Sequence, residues 1–330
     1  MSKSKIVVSG MRATGKMHLG HYEGALKNWV ALQEQYHCYF FVAEWHAVFS
    51  EFKDTAALRA NAVEMVRDWL AAGLDPKKCT IFLQTDVPGH AELFLILAPF
   101  VPVGWLERCP TYKEAVENLT NKEVTNYGFF GYPVLQAADI MLYKGEYVPV
   151  GEDQVVHLEL TREIVRRFNQ FYPGCFPEPK PLLTKTSRLL GTDNRKMSKS
   201  YGNFINLDME KDAITRVAKT MVTDHLRVRL KDPGHPDACN VFSYYNIFAP
   251  QEAAAARDWC ENAKKGCMDC KTHLAGCVDS YIAPLRERRQ QYSDDAVLNI
   301  MHEGAARARQ SAAATMRQLR DTLHLKPLLP

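Results

Sequence analysis

The sequence has little of what marks membrane, secreted or strongly charged proteins. Its most apolar long stretch without a charged residue, 93–106, is too short for a membrane-spanning helix and contains Pro99 and Pro102. The only apolar run near the start, 6–8, is too short for the core of a signal peptide. The net charge of +3 gives no global attraction for nucleic acid. We therefore expect a cytoplasmic protein without membrane contact, in which any nucleic-acid binding depends on local basic patches.

Two common motifs are also absent. The chain has no G-x-G-x-x-G, which excludes the dinucleotide-binding fingerprint. Its nine cysteines include only one C-x2-C, so the usual zinc pattern with two such knuckles is not met. In a reducing compartment these cysteines should be thiols or metal ligands and not disulfides. With 330 residues, 46% of them apolar and 24% charged, the chain is typical of a soluble protein with one large domain and a smaller one.

Short buried strands alternate with amphipathic helices in the first part of the chain. The predicted strands are 6–8, 38–43, 80–83 and 147–150, with helices between them. Such alternation predicts a parallel sheet with crossover helices, which binds ligands at the carboxyl ends of its strands. From Lys211 onward the pattern is helical. We expect an α/β fold with a Rossmann-like nucleotide-binding domain over 1–205 and an all-helical C-terminal domain over 206–330.

The segment His18-Leu19-Gly20-His21 follows the first strand and begins a helix. Backbone N–H groups at a helix start are free to bind phosphate, and the two histidines lie about one turn apart. Taken singly, each histidine is more often a packed or surface residue. The pair at this position favours contacts with the phosphates of ATP.

The second basic motif is Lys196-Met197-Ser198-Lys199-Ser200. Lysine is a mobile point charge on a long stem, so two lysines on one loop can follow the charge of a triphosphate as it changes. An arbitrary K-x-x-K is usually a solvated surface turn. The upstream histidine motif makes the phosphate-binding interpretation the stronger one.

A polar stripe runs along the otherwise apolar helix predicted over 129–143. Tyr132, Gln136, Asp139 and Tyr143 share one helical face at spacings of 4, 3 and 4. Such a stripe either lines a pocket or faces water, and the small residues beside Asp139 favour a pocket.

The two motifs together resemble the signatures of class I aminoacyl-tRNA synthetases. With A-A-D-I at 137–140 and V-P-V-G-E-D-Q at 148–154, the chain resembles the bacterial type of tryptophanyl-tRNA synthetase. The resemblance implies that L-tryptophan and ATP, with Mg²⁺, form tryptophanyl-adenylate, and that tryptophan then passes to tRNA(Trp) in a homodimeric enzyme. The alternatives are a tyrosyl-tRNA synthetase, a non-catalytic paralogue that binds tRNA or senses tryptophan, and a nucleotidyltransferase for a small carboxylic acid.

The resemblance also implies roles for individual residues. The implied catalytic residues are His18, His21, Lys196 and Lys199. The implied ATP-binding residues are Gly10, Arg12, Ala13, Thr14, Gly20, His21, Gly151, Glu152, Asp153, Leu189, Lys196, Met197, Ser198, Lys199 and Ser200. The implied tryptophan-binding residues are Asp139, which would accept the indole N–H, and His46, Gln136, Ile140, Val148, Val150 and Gln154.

Five of the nine cysteines lie within a short stretch of the second domain. Cys239, Cys260, Cys267 and Cys270 have the order C-x20-C-x6-C-x2-C, and Cys277 is interpreted as a spare thiol. This order is similar to that of a minority of bacterial tryptophanyl-tRNA synthetases that carry a [4Fe–4S] cluster. We predict such a cluster, with zinc or no metal as alternatives. The cluster would organise a basic surface near the anticodon, made of Arg227, Arg229, Lys231, Lys264 and Lys265.

Overall fold

The computed structural model describes residues 5–13, 15–109, 112, 126–151, 155–183 and 189–325. Within this part of the chain, strands and helices alternate as the sequence predicts. The strands are β1 (Ile6–Met11), β2 (His37–Val42), β3 (Cys79–Leu83), β4 (Tyr147–Val150) and β5 (Lys180–Leu183).

The first helices are α1 (Leu19–His21), a π-helical turn (Tyr22–Leu26), α2 (Lys27–Leu32), α3 (Glu44–Glu51), α4 (Leu58–Ala72), α5 (Gly89–Leu97) and α6 (Val103–Glu107). The later helices are α7 (Tyr127–Leu142), α8 (Val155–Phe171), α9 (Lys211–Lys219), α10 (Asn240–Phe248), α11 (Pro250–Glu261), α12 (Cys267–Arg289) and α13 (Asp294–Thr322).

The five strands form one parallel sheet in the order β3-β2-β1-β4-β5. All residues of β3 are buried, as are those of β2 after His37, which explains the near-continuous apolar runs in the sequence. The parallel arrangement brings the carboxyl ends of all strands to one edge. The predicted Rossmann-like parallel sheet with helical crossovers and a helical C-terminal region is confirmed.

Gly10 illustrates how closely this sheet packs. A side chain at this position in β1 would lie 2.5 Å from the ring of Phe41 on the neighbouring strand. The ring therefore occupies the volume that any larger residue at Gly10 would need.

The chain divides into two compact units. Unit 1 comprises Met1–Gly15, Asn28–Lys185 and Tyr292–Pro330, and contains the sheet; unit 2 comprises Lys16–Lys27 and Thr186–Gln291. This division differs from the predicted boundary near residue 205, because a short early segment belongs to unit 2 and the last helix to unit 1. The roles predicted for the two domains stay predictions.

The last helix, α13, belongs to unit 1 because it packs on the sheet. A side chain at Gly304 would lie 1.8 Å from the carbonyl oxygen of Ile81, so only glycine allows the helix to approach β3 this closely. The hydroxyls of Tyr39 and Ser311 lie 2.7 Å apart. Among the described helices, none has both the length and the apolar composition needed to cross a bilayer.

Candidate active site

In unit 2 the two signature segments lie directly against each other. The Gly20 N–H donates to Met197 Sδ at 3.3 Å, which joins the turn at 18–21 to the lysine-containing loop. The Leu19 N–H donates to the Ile205 carbonyl at 2.9 Å. A side chain at Gly20 would come within 3.0 Å of the His18 ring. The structure therefore brings together two motifs that are about 180 residues apart in the sequence.

The N–H groups at the start of α1 are not free, in contrast to the expectation from the sequence. The Leu19 N–H pairs with Ile205, and the His21 N–H donates to the His18 carbonyl at 2.9 Å. The Gly20 N–H points at the thioether of Met197, which is a weak acceptor. Of these three N–H groups, that of Gly20 would give up the weakest hydrogen bond if it donated to a phosphate oxygen instead.

The two signature histidines are stacked and uncharged. Their ring centroids are 3.7 Å apart, and the backbone N–H of His18 donates to the ring Nδ1 of His21 at 3.3 Å. Burial lowers the pKa of His18 to about 3, with further contributions from His21, Lys199 and Lys196. Burial, followed by the same two lysines, lowers the pKa of His21 to about 4. Both rings are therefore neutral near pH 7. Within the described residues, the buried Nδ1 of His18 has no hydrogen-bond partner.

Asn203 shapes the loop that carries the two lysines. Its Oδ1 accepts from the Ser198 N–H at 2.8 Å, and its Nδ2 donates to the Lys196 carbonyl at 3.1 Å and to Asp193 Oδ1 at 2.6 Å. Lys196 itself is exposed, and Met197 is buried. One buried amide thus holds both ends of the K-M-S triplet while the first lysine remains at the surface.

In unit 1 the acidic residue of the A-A-D-I motif is almost completely buried. Asp139 is 3% exposed and accepts hydrogen bonds from three of the described side chains. Gln84 Nε2 and His90 Nδ1 each lie 2.7 Å from Asp139 Oδ1, and His46 Nε2 lies 2.9 Å from Oδ2. His90 Nε2 also lies 2.8 Å from the hydroxyl of Tyr143. Of the polar stripe, Asp139 and Tyr143 are therefore buried and Tyr132 and Gln136 are half-buried, while the pocket itself stays a prediction.

The charge of this carboxylate is stabilised by its partners. Burial acts to raise the pKa of Asp139, but the hydrogen bonds and charges of His46 and His90 outweigh burial, and the pKa is lowered. Asp139 is therefore an ionised acceptor at neutral pH. Burial, followed by the charge of Asp139, raises the pKa of Tyr143 well above its ordinary value, so its hydroxyl keeps its proton.

The remaining predicted residues of unit 1 fall into two groups. Ile140, Val148 and Val150 belong to one small buried apolar cluster, and Gln136 is half-buried on α7. Four others lie at the carboxyl edge of the sheet: Gly10, Arg12 and Ala13 at the end of β1, and Gly151 after β4. In unit 2, Leu189 is buried next to the bridge between Leu190 and Lys196.

Several predicted positions lie outside the described residues: Thr14, Glu152, Asp153, Gln154 and the side chain of Ser200. Two residues next to Asp139, Gln84 and His90, were missed by the sequence analysis. Gln84 directly follows β3, and this position at the carboxyl end of a parallel strand is the signal that could have identified it.

The four predicted cysteine ligands lie in one region of unit 2. Burial raises the pKa of Cys270 to about 11, and the charges of Cys239, Cys260 and Cys267 act in the same direction. The pKa of Cys260 is raised by burial first and then by Cys239, with Cys267 contributing further. Within the described residues, no group of three or more His, Cys, Asp or Glu is arranged to hold a metal ion. The predicted cluster is thus not confirmed.

Comparisons with known proteins agree with the signature geometry. Residues 2–281 match the family of class I tRNA synthetases for tryptophan and tyrosine. A tryptophan–tRNA ligase from Thermotoga maritima is 47% identical over 324 residues, covering 97% of this chain and 99% of the relative. The chain belongs to the class I tryptophanyl-tRNA synthetases.

Other relatives support the same family. A tryptophan–tRNA ligase from Aquifex aeolicus is 39% identical to this synthetase, covering 97% of the chain and 99% of the relative. The crystal structure of a tryptophanyl-tRNA synthetase from Campylobacter jejuni, complexed with ADP and tryptophan, superimposes with a TM-score of 0.88 at 32% identity. That match covers 97% of this synthetase and 99% of the other chain.

Proposed function

We propose that this synthetase activates L-tryptophan with ATP and transfers the tryptophanyl group to tRNA(Trp). The observation that carries this proposal is the contact in unit 2 between the turn at 18–21 and the loop at 196–200. It places two lysines, a weakly held N–H group and an unpartnered buried imidazole nitrogen in one region. All of these groups can bind phosphate oxygens.

The chemistry follows from charge stabilisation. The carboxylate of tryptophan attacks the α-phosphorus of ATP, the bond to the β-phosphate oxygen breaks, and pyrophosphate leaves with Mg²⁺. Lys196 and Lys199 follow the negative charge as it moves to pyrophosphate, while the neutral histidines donate hydrogen bonds. The terminal ribose hydroxyl of the tRNA then attacks the carbonyl of tryptophanyl-adenylate, and AMP leaves. No covalent intermediate with the protein is required.

The choice of tryptophan depends on Asp139. As a buried, ionised acceptor it suits a substrate whose ring carries an N–H donor. Phenylalanine offers no such donor, so it would leave the buried carboxylate unpaired and lose binding free energy on the order of several kcal/mol. Ile140, Val148 and Val150 supply an apolar surface for the indole. The assignment of each ATP-binding and tryptophan-binding residue is part of this proposal.

Amino-acid-dependent ATP–pyrophosphate exchange tests the proposal, with tryptophan and tyrosine assayed side by side on anaerobically purified protein. We expect exchange with tryptophan only. Exchange with tyrosine only would overturn the assignment of Asp139 to the indole while retaining both signatures. No exchange with either amino acid would favour a paralogue that binds tRNA or senses tryptophan without catalysis.

We further propose that Cys239, Cys260, Cys267 and Cys270 hold a [4Fe–4S] cluster. The uneven sequence spacing of these cysteines, with a single C-x2-C, supports this choice over zinc. Burial first, and then the charges of Cys239 and Cys267, raise the pKa of Cys260 and of Cys270, and a cationic cluster core would act in the opposite direction.

Iron and sulfide analysis of anaerobically purified variants tests the cluster. We expect Cys267→Ser to lose iron, sulfide and the brown colour, while Cys277→Ser, a matched control on the same helix, keeps all three. Colourless unmutated protein would refute the cluster. The basic surface is tested separately: if Cys267→Ser loses the colour but keeps its tRNA affinity, the cluster does not organise that surface.

The structure modifies the proposed basic surface. Arg227 Nη2 donates to the carbonyls of Leu230 and Lys265, so this guanidinium holds the loop together. Lys264 pairs with the carboxylate of Asp258. The exposed Arg229 and Lys231 are therefore the better candidates for contacts with tRNA phosphates. The cytoplasmic location and the homodimer are also proposals, and sedimentation velocity tests the dimer.

A further inference from the structure

We propose that Gln84 and His90 are positioning residues that aim Asp139 so that its Oδ2 atom, and not Oδ1, accepts the indole N–H. This inference rests on the proposed activation of tryptophan. It deepens that proposal by naming the oxygen that recognises the substrate and the residues that leave this oxygen available.

The acceptor capacity of the carboxylate identifies the oxygen. An ionised carboxylate offers about four acceptor positions, two on each oxygen. Oδ1 receives two hydrogen bonds, from Gln84 Nε2 and His90 Nδ1, both at 2.7 Å. Oδ2 receives one, from His46 Nε2 at 2.9 Å. Among the residues that the structure describes, the acceptor position that remains is on Oδ2.

The burial of the side chains around Asp139 independently indicates that Oδ2 is the oxygen a ligand can reach. The side chain of His90 is fully buried, and so is Gln84, so the Oδ1 side of Asp139 is closed by protein. The side chain of His46 keeps 13% of its surface exposed. A ligand can therefore approach Asp139 from the side of His46 and Oδ2.

The hydrogen bonds of His90 are fixed in direction. The carboxylate of Asp139 can only accept, so the facing Nδ1 of His90 carries a proton. When the ring is neutral, Nε2 accepts from the hydroxyl of Tyr143 at 2.8 Å. The ring of Tyr143 stacks on Tyr39 at 4.4 Å between centroids, and this contact holds the hydroxyl in place. Tyr143 thus locks the tautomer that His90 needs to donate to Asp139.

Gln84 is fixed by a similar argument. Its Oε1 accepts from the backbone N–H of Trp45 at 3.0 Å, and a backbone N–H can only donate. The amide group therefore has to turn its Nε2 toward Asp139 Oδ1. Trp45 precedes His46 on α3, so the same side chain also positions the helix that carries the donor to Oδ2.

The aim of the carboxylate has a consequence for specificity. A tryptophan analogue in which sulfur replaces the indole N–H has nearly the same shape but offers no donor to Oδ2. Such a ligand leaves a buried acceptor unpaired. If Gln84 and His90 aim Oδ2, loosening them should lower the preference for tryptophan without lowering the rate with the sulfur analogue.

The experiment compares kcat/KM for pyrophosphate exchange with tryptophan and with β-(3-benzothienyl)alanine. We expect His90→Met, which has no donor, to lower the preference for tryptophan about tenfold while the rate with the sulfur analogue is retained. His90→Asn keeps a donor near the position of Nδ1 and should retain most of the preference. This rescue is not expected if His90 only fills volume.

Two results with His90→Met would overturn the inference: an unchanged preference, or an equal loss with both substrates. If this variant does not fold, Tyr143→Phe provides the second test. Because it removes the donor that fixes the tautomer of His90, we expect the preference to fall about threefold; an unchanged preference would again overturn the inference. Failure of the proposed function would be seen separately, as absence of exchange with tryptophan in the unmutated protein.

Discussion

The polar groups of the two candidate sites differ in charge, burial and hydrogen bonding. In unit 1, Asp139 is a buried charge with three donors supplied by the protein. In unit 2, the imidazoles of His18 and His21 are buried but neutral, and Lys196 is exposed. Asp139 is therefore preorganised by its hydrogen bonds. In the signature region, by contrast, the exposed Lys196 and, among the described residues, the unpartnered Nδ1 of His18 can still bind a ligand.

This difference matches what each site would have to bind. An indole ring is neutral and keeps its shape during the reaction, so a rigid acceptor can discriminate among rings before chemistry begins. A triphosphate changes its charge distribution as pyrophosphate leaves, so groups that bind it have to follow that change. Rigidity favours recognition at Asp139, and adjustable contacts favour catalysis at the signature loop.

The largest expected effect comes from Asp139→Asn. The amide keeps the shape but presents an N–H₂ group to donors, so the hydrogen bonds from His46, His90 and Gln84 cannot all be satisfied. We expect kcat/KM for tryptophan to fall about 100-fold or more in pyrophosphate exchange. Asp68→Asn, at a buried aspartate on α4, is the control and should retain activity. A loss of less than threefold would contradict the assigned role of Asp139.

The second prediction concerns acid sensitivity in unit 2. The pKa values of about 3 for His18 and about 4 for His21 lie below the ordinary 6.5, so the unfolded chain binds more protons below pH 6.5. Stability should therefore fall as the pH decreases from about 6.5 toward these values. Each histidine contributes a loss of about 2 kcal/mol at pH 5. Urea unfolding at pH 7 and pH 5 should show less loss in His18→Asn and in His21→Asn; pH dependence equal to the unmutated protein would contradict the prediction.

Asn203→Ala should have a smaller effect, confined to ATP. Without this amide the loop loses its hydrogen bonds to Ser198 and Lys196, and the lysines are no longer preorganised. We expect kcat/KM for ATP to fall about tenfold, with little change in tryptophan binding measured by calorimetry. Asn246→Ala, at an exposed position on α10, serves as the matched control. Equal losses in ATP use and tryptophan binding would show that Asn203 has a general structural role.

The smallest effect is expected for Tyr281→Phe. The Tyr281 hydroxyl donates to Glu23 Oε1 at 2.5 Å, and Lys27 pairs with the other oxygen of the same carboxylate at 3.0 Å. Glu23 lies in the π-helical turn directly after the signature histidines. Loss of the hydroxyl should lower the free energy of unfolding by about 1 kcal/mol. Thermal unfolding measures the change, and a variant as stable as the unmutated protein would rule out a contribution from this hydrogen bond.

Much of the fold could be predicted from local sequence patterns. The strand at 147–150 has the predicted position, because the apolar pattern that identifies it lies within a few residues. The polar stripe on α7 likewise predicted Asp139 as a candidate site residue, and Asp139 is buried. In both cases the spacing of apolar and polar residues along the chain is enough to predict the element and its faces.

The partners of Asp139 could not be predicted in the same way. Gln84 and His90 contact a residue about 50 positions away. The position of Gln84 after β3 indicates the ligand-binding edge of the sheet, but the local sequence does not show that either side chain donates to Asp139. The free N–H groups expected at the start of α1 are another such case, because their acceptors at Met197 and Ile205 come from a distant segment. Periodicity identifies an element and its buried face, whereas the partner across the interface depends on the complete fold.

The contact between Gly304 and Ile81 has a consequence for how this protein is made. Since α13 covers β3, unit 1 cannot finish folding on the ribosome until almost the entire chain has emerged. Most of unit 2 is synthesised before the helix that completes unit 1. A nascent chain paused before residue 294 would expose apolar surface on its sheet, where a chaperone or a neighbouring chain could bind.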